Sequence, residues 1–499
     1  MMDWFTTLCI ATLLALVFLK SFRKSKNAPP GPMPLPFIGN LVYIARQDPV
    51  NYKAMQKISK KYGEVVSLKI GSMKNVLVST CEAARDLYSR PDCLNRPING
   101  AFWERMLCQN IGMAFSYDEA WSSIRKFTSK SLRDYGFGNR NSMQKLIKQE
   151  LLELVKYVET KVDSSPGGVL YFDRFFQASF LNLMSSMITG ERQPYEDKEL
   201  QKLLKASQKW FDAPPLGSLT VMAFPWTRFV CPKFLGYEQQ IQALREMENY
   251  TRGMLEKRRK QNTFLEKPTC FADSFLKMAH DTAEDPASIF TDDQFAVLCT
   301  DLIQGGSDTT SNLMSFAILL LMVHQEVQEK VVNEIEEVIG FERLPESSDR
   351  DSMIYTQAVI LELQRHARLT VVMPPRQATE DFYYKDNLIK KGTTILVNLH
   401  SCFMDPDVWN DPERFNPERF LDDERQLINS EKISIAFGAG RRICFGEPMA
   451  KESSFLYLVT LLQKFLFRIP PNHPSPDLEP AVALILAPKP FYAEVVRRK

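Results

Sequence analysis

The first twenty residues break from the pattern of everything that follows. From Trp4 to Leu19 the chain is apolar or small without a charge; Asp3 precedes the run, and Lys20, Arg23, Lys24 and Lys26 follow it. Those sixteen residues, if helical, span roughly 24 Å, enough for a thin bilayer. A cleaved signal peptide carries its positive charge ahead of the apolar run and a small-residue cleavage site after it. Here the charge comes after, which predicts a membrane anchor with the rest of the chain on the cytoplasmic side. Ala28 to Pro36 reads Ala-Pro-Pro-Gly-Pro-Met-Pro-Leu-Pro, a stiff extended connector. The predicted organisation is an anchor at 1–20, a basic and proline-rich hinge at 21–36, and a folded domain at 37–499.

Within that domain most positions repeat with helical period. Asn141 to Asp163, Lys198 to Trp210 and Tyr237 to Lys260 read as amphipathic helices. A longer helix is predicted from Thr291, with Asp292 and Asp293 in its first turn, to His324. Val65 to Ser79 alternates instead, about Gly71-Ser72, and predicts a β-hairpin. Leu369 to Met373 and Ala481 to Leu486 are short apolar runs that fit either core strands or the lining of a pocket. Arg96 to Tyr117 has no clear period, although it carries Phe102, Trp103, Met106, Ile111, Met113 and Phe115. The fold class is therefore mainly α with small β-sheets, an α+β arrangement.

Composition narrows the function only by exclusion. With 62 basic and 60 acidic residues the net charge is +2, which gives nucleic acid no handle. Nine cysteines are scattered without a C-x-x-C pair, against both a disulfide framework and a zinc site.

The chemistry concentrates in Phe437-Gly438-Ala439-Gly440-Arg441-Arg442-Ile443-Cys444-Phe445-Gly446, ahead of a helix-forming run at Met449-Ala450-Lys451-Glu452. Cys444 alone reads as a buried cysteine in a glycine-rich turn. Its neighbours change that reading, because glycines let backbone N–H groups approach a sulfur and arginines favour a thiolate. The same glycines admit a flat, bulky group, and Arg442 can reach an acidic edge of it, which describes a haem and its propionates. The spacing F-x-x-G-x-R-x-C-x-G, met at Phe437, Gly440, Arg442, Cys444 and Gly446, resembles the haem-ligand signature of the cytochrome P-450 monooxygenases. From about residue 30 onward the chain resembles the microsomal, reductase-dependent animal members of that family.

The resemblance implies the cytochrome P-450 fold preceded by one transmembrane helix, and heme b ligated by Cys444. Trp121 and Arg125, one helical turn apart, match the family's W-x-x-x-R pair on a propionate; without the family they would be a surface pair. Arg376, following Met373-Pro374-Pro375, is the best match for the group on the second propionate. The family usually places a histidine or arginine there and then a short stretch to a threonine, and this chain reads Arg376-Gln377-Ala378-Thr379. Glu362 and Arg365 match the E-x-x-R pair, joined by Arg419 of Pro417-Glu418-Arg419-Phe420 into a buried structural lock. On a surface such an i,i+3 pair is weak. By position in the family, Phe102, Trp103, Ile111, Gly305, Val371, Val372 and Leu484 border the substrate. Phe211-Asp212-Ala213-Pro214-Pro215 and Phe224-Pro225-Trp226 correspond to a mobile lid that touches the membrane. His366 and His400 lie in no loop suited to an axial ligand.

Two glycines in the middle of the long helix cost about 2 kcal/mol relative to alanine, so Gly305-Gly306 predicts a bend with room for a ligand. The following Ser307-Asp308-Thr309-Thr310 completes the family's A/G-G-x-D/E-T-T. The resemblance makes Thr309 the hydrogen-bond donor to dioxygen and Asp308 the relay of protons from solvent; alone, the two are a polar pair on an exposed helix face. Lys126, Lys130 and Arg133 are either a solvated face or a docking patch for an acidic electron donor.

The reading is a monooxygenase of the endoplasmic reticulum membrane that inserts one oxygen atom from O2 into a small lipophile. No flavin or nicotinamide fingerprint is present, so its electrons would come from an NADPH-cytochrome reductase, with cytochrome b5 as a further donor. The animal style of the motifs leaves terpenoid or juvenoid, steroid, fatty acid and foreign compounds open as substrates. Two rivals stand beside it: a haem-thiolate isomerase or dehydratase, and a non-catalytic haem carrier or sensor. The Asp308-Thr309 pair weighs against the first, and the lid and distal helix against the second.

Overall fold

The computed structural model of the protein describes residue 12 and residues 27–98, 100–212 and 220–498. The expected anchor thus lies outside the described residues except for Thr12, as do 213–219 of the expected lid. Among the described residues no helix is long and apolar enough to cross a membrane.

The helices that position the site are α1 (Leu41–Gln47), α2 (Asn51–Tyr62), α3 (Cys81–Ser89), α4 (Asp118–Asp134), α5 (Arg140–Ser164), α6 (Gln177–Thr189), α7 (Lys198–Phe211), α8 (Tyr237–Gln261), α9 (Phe271–Asp281), α10 (Asp292–Val323), α11 (Gln325–Val338), α12 (Ile354–Ala367), α13 (Leu399–Phe403) and α14 (Glu447–Lys464). The three amphipathic helices and the long one fall within a residue or two of their expected bounds. α10 starts where Thr291 accepts the Gln294 N–H at 3.1 Å, and Asp292 and Asp293 complement its N-terminal dipole. It is buried along most of its length and packs against α6, α8 and α14.

α10 runs through Gly305-Gly306 as one unbroken helix. Packing accounts for Gly306, since a Cβ there would lie 2.2 Å from the Met184 sulfur of α6. Gly305 faces open space.

β1 (Val65–Ile70) and β2 (Met73–Val78) form the expected hairpin, continued by β7 (Thr394–Val397) and β4 (Arg376–Gln377) in the order β1-β2-β7-β4. The turn requires Gly71, whose φ is 57° and whose Cβ would lie 2.5 Å from the Ala223 carbonyl oxygen. β3 (Val169–Phe172), β9 (Phe491–Arg497) and β8 (Phe465–Arg468) make a second sheet, and β5 (Phe382–Tyr384) pairs with β6 (Asn387–Ile389). The two short apolar runs form no strand. They contribute only single bridges, Val372 to Asn398 and Ala481 to Ala487. Their backbones meet across Leu486 N–H to Leu369 carbonyl at 2.8 Å.

Candidate functional site

The Cys444 loop joins a short 3-10 turn, Gly440–Arg442, to the N-terminus of α14. Cys444 N–H donates to the Phe437 carbonyl at 2.7 Å, which closes the loop on itself. Gly440 holds it against α3: its φ is 66°, and a Cβ would lie 2.5 Å from the Tyr88 carbonyl oxygen. Gly446 leaves the sulfur clear, with a Cβ there 4.0 Å away. Phe445 beyond the cysteine stacks on Phe137 at 5.0 Å.

The expectation that the arginines stabilise a thiolate needs correcting. Arg442 turns away from the sulfur, donating to the Ser116 carbonyl at 2.7 Å and lying 4.1 Å from the Trp121 ring. Arg441 also leans over Trp121. Cys444 is solvent-accessible, yet the surrounding protein pushes its thiol up; the Gly446 N–H and, more weakly, Arg125 oppose this while Glu447 adds to it. The loop therefore presents a thiol that a metal ion, not the arginines, would hold deprotonated.

The arginines form a cluster of their own. Arg125 on α4 donates to the Ile443 carbonyl at 2.9 Å, and Trp121 is buried one turn earlier. Arg376, on β4 at the sheet's edge, donates to the carbonyls of Tyr88 and, at 2.8 Å, Ala439. A fourth member went unrecognised in the sequence: Arg96 donates to the carbonyls of Pro374 at 2.7 Å and Pro375 at 2.8 Å. Nothing in its neighbourhood marks it, because its partners are backbone carbonyls, two of them nearly 280 residues away and one, Ala114, in an aperiodic loop. No carboxylate pairs with these arginines among the described ion pairs. Burial, then repulsion from Arg96, Arg376 and Arg125, brings Arg442 down to about 8, and burial and Arg376 bring Arg96 down to about 10. Arg442 Nε and Nη1 and Arg376 Nε are buried without a partner. A group with two carboxylates, as haem has, fits this excess of buried donors and positive charge.

On α10, Asp301, Gly305 and Thr309 recur at i, i+4 and i+8 and so share one face. Thr309 Oγ1 donates to the Gly305 carbonyl at 2.7 Å. Asp308 faces elsewhere. Far from forming an exposed pair, it is buried and accepts from Gln177 at 2.6 Å and Ser207 at 2.8 Å, on α6 and α7. Burial raises its carboxyl to about 6, against the lowering effect of the Ser207 and Ser307 hydroxyls. Gln208, half-buried, extends the chain to Gln177 at 3.1 Å.

Arg96 to Tyr117 is held by another pair that the sequence did not disclose. Arg105, on the short helix Gly100–Arg105, binds Asp301 at 2.8 Å, and the other Asp301 oxygen accepts the N–H groups of Met113 and Ala114 at 2.9 Å. The i−4 spacing from Gly305 was the available signal. Phe102 stacks on Phe115 at 4.2 Å, while Trp103 and Ile111 are partly buried. Val371 is not open to this space; it packs with Tyr52 and Leu486, with Val372 beside it. Leu484 is half exposed.

Glu362, Arg365 and Arg419 meet in one buried cluster. Glu362 takes two bonds from Arg365, at 2.7 and 2.8 Å, with both side chains fully buried, and Arg419 Nε lies 3.2 Å from the same carboxylate. Arg365 also donates to the Phe403 carbonyl at 2.8 Å. His366 bonds the Glu413 carbonyl and His400 packs on Tyr52; burial brings each imidazole down to about 3.

The sequence profile of the family described as Cytochrome P450 matches residues 29–495. The chain belongs to the cytochrome P450 family. Among its P450 relatives are farnesoate epoxidase of Bombyx mori, 31% identical over 93% of this chain and 92% of the relative; cytochrome P450 2D20 of Mesocricetus auratus, 32% identical over 98% and 97%; and human cytochrome P450 2J2, 32% identical over 96% and 93%. P450 proteins bind haem through a cysteine thiolate, and this one is a haem-thiolate monooxygenase acting on lipophilic substrates.

Proposed function

We propose that haem lies between the Cys444 loop and α10, with Cys444 as the iron ligand and its two carboxylates shared among Arg442, Arg96, Arg125, Trp121 and Arg376. The observation that carries this is the buried arginine cluster, whose unpartnered nitrogens need an anion. Haem supplies an iron at which O2 can be reduced and its bond split. Thr309 can turn its hydroxyl from the Gly305 carbonyl toward an oxygen atom in the open space beside that glycine. Asp308, with a carboxyl near 6, exchanges protons at neutral pH behind Thr309, and Gln177 and Ser207 fix its orientation. Phe102 and Phe115 and the Asp301-anchored loop border the substrate.

Electrons reach the site from NADPH through a cytochrome reductase, with cytochrome b5 as a second donor; the exposed Lys126, Lys130 and Arg133 of α4 offer the docking charge. The folded domain begins near residue 37 and follows an anchor in the endoplasmic reticulum membrane, its catalytic part facing the cytoplasm. The substrate is a sesquiterpenoid-sized lipophile, supported by the farnesoate epoxidase relative and the aromatic border of the site. An optical titration of the ferric protein with sesquiterpenoids, steroids, fatty acids and drug-like compounds tests this. A submicromolar response to sesquiterpenoids alone, more than about 8 kcal/mol of binding, is the expected result. Equal weak responses across the panel would replace a dedicated enzyme with a generalist, and a Cys444→Ser protein that keeps the wild-type haem spectrum would remove the ligand assignment.

A further inference from the structure

Two thiols remote from the arginine cluster meet where the first sheet ends. β2 and β7 run parallel with Val78 opposite Val397, and each strand then leads into a helix, α3 from Cys81 and α13 from Leu399. That divergence sets Cys81 beside Cys402. The Cys402 thiol reaches the Ser79 carbonyl at 3.6 Å, and the Cys81 thiol reaches the Cys402 carbonyl at 4.0 Å. Their accessibilities differ: Cys402 is buried, whereas Cys81 is only half-buried.

Cys81 is also placed to react. It is the first residue of α3, behind a Thr80 cap whose Oγ1 accepts the Ala83 N–H at 3.3 Å, and Arg85 stands one turn further on. The Cys402 contact, then Arg85, lowers the Cys81 thiol against the effect of burial; Cys402 is raised well above its usual value. A helix N-terminus, a nearby cation, partial exposure and an adjacent second thiol together describe an oxidisable cysteine with a partner to resolve it.

We propose that Cys81 and Cys402 are a peroxide-reactive dithiol, with Cys81 as the attacking sulfur and Cys402 as the resolving one. The Cys81 thiolate attacks one oxygen of hydrogen peroxide, the O–O bond breaks, and sulfenic acid and water form with the thiol's proton. The Cys402 sulfur then displaces the hydroxyl of that sulfenic acid, its own proton leaving with it as a second water. The net change is two thiols oxidised to one disulfide and one peroxide reduced to two waters. Hydrogen peroxide is the chemical class that a monooxygenase releases whenever reduced oxygen fails to reach substrate. The new bond would tie the start of α3, whose Tyr88 carbonyl receives Arg376, to α13, whose Phe403 carbonyl receives Arg365. The scattered cysteines, which argue against a permanent disulfide framework, agree with a reversible bond here.

The test treats the full-length, haem-loaded protein with a small molar excess of hydrogen peroxide, blocks remaining thiols and digests with trypsin. The expected product is a linked pair of peptides, residues 75–85 with residues 392–414, released by dithiothreitol. In Cys402→Ser the same treatment should leave Cys81 as a sulfenic acid that dimedone traps, at least five-fold more than in the wild type. In Cys81→Ser no linked pair should form and Cys402 should remain a free thiol. The idea is overturned if Cys81 stays reduced while exposed Cys108 oxidises, or if Cys81 is trapped equally with and without Cys402. The readout is covalent and independent of substrate turnover, so it stands or fails separately from the proposed substrate.

Discussion

Single buried charges carry the most testable content of this site. Asp308 has a carboxyl raised from 3.8 to about 6, mainly by burial. A raised acid favours the folded state when protonated; its contribution is complete below the unfolded value and is lost as pH rises through about 6. The difference is worth about 3 kcal/mol. Denaturant midpoints measured between pH 4 and 7 should therefore fall more steeply in the wild type than in Asp308→Asn, leaving the variant the more stable protein at neutral pH despite its lost turnover. Parallel profiles would mean that Asp308 is not the buried acid described. Arg442 gives the complementary case. Arg442→Gln relieves a crowded cation when haem is absent but strands a carboxylate when it is present, so it should raise the unfolding temperature of the haem-free protein and lower that of the loaded one. The sequence disclosed Arg442 and Asp308 through their motifs, while Arg96 and Ser207 were hidden because each acts through a fold-dependent approach and no local spacing encodes it.

At the scale of elements, the cysteine loop works because α3 lets its backbone come close. Gly440→Ala places a Cβ 2.5 Å from the Tyr88 carbonyl oxygen and 2.7 Å from Ser89 Cα, backbone atoms that cannot rotate away. To that is added the cost of a non-glycine residue in the left-handed region, about 1–2 kcal/mol. Gly63→Ala is a fair control, since it also has positive φ but meets nothing within 4 Å. The haem-to-protein ratio after purification should fall several-fold for Gly440→Ala and stay near wild type for Gly63→Ala; equal ratios would show that the loop is not pinned at Tyr88. Helices were legible from amphipathic period, as for α8, or from a capped acidic first turn, as for α10. The runs at 369–373 and 481–486 stayed open between strand and pocket lining because apolar content alone does not separate a strand from a chain segment crossing between two. Gly306 has a reason that its motif does not show: a Cβ there would meet Met184.

The whole molecule is asymmetric in its exposed apolar surface. Gly39 bridges to Ile70 and Asn40 N–H donates to the Lys69 carbonyl, which brings Met33, Leu35 and Phe37 beside the β1–β2 turn. On the other side of that turn Gly71 packs on Ala223, followed by exposed Trp226, Phe229, Val230 and Phe234, the last 88% accessible. Large apolar side chains exposed together are the usual mark of a contact surface, and the connector at 28–36 runs to that surface. This end should therefore lie on a bilayer even in a chain that lacks its first 26 residues. Each large side chain taken out of water contributes roughly 1.5–3 kcal/mol. Substituting Phe229, Val230 and Phe234 together by Ser in a chain that starts at residue 27 should weaken vesicle association by at least about 100-fold, since each 1.4 kcal/mol is a factor of ten. Vesicle flotation, with a triple substitution on the exposed face of α5 as reference, measures it. If both variants float alike, these residues are not what holds the domain to the vesicle, and they face water.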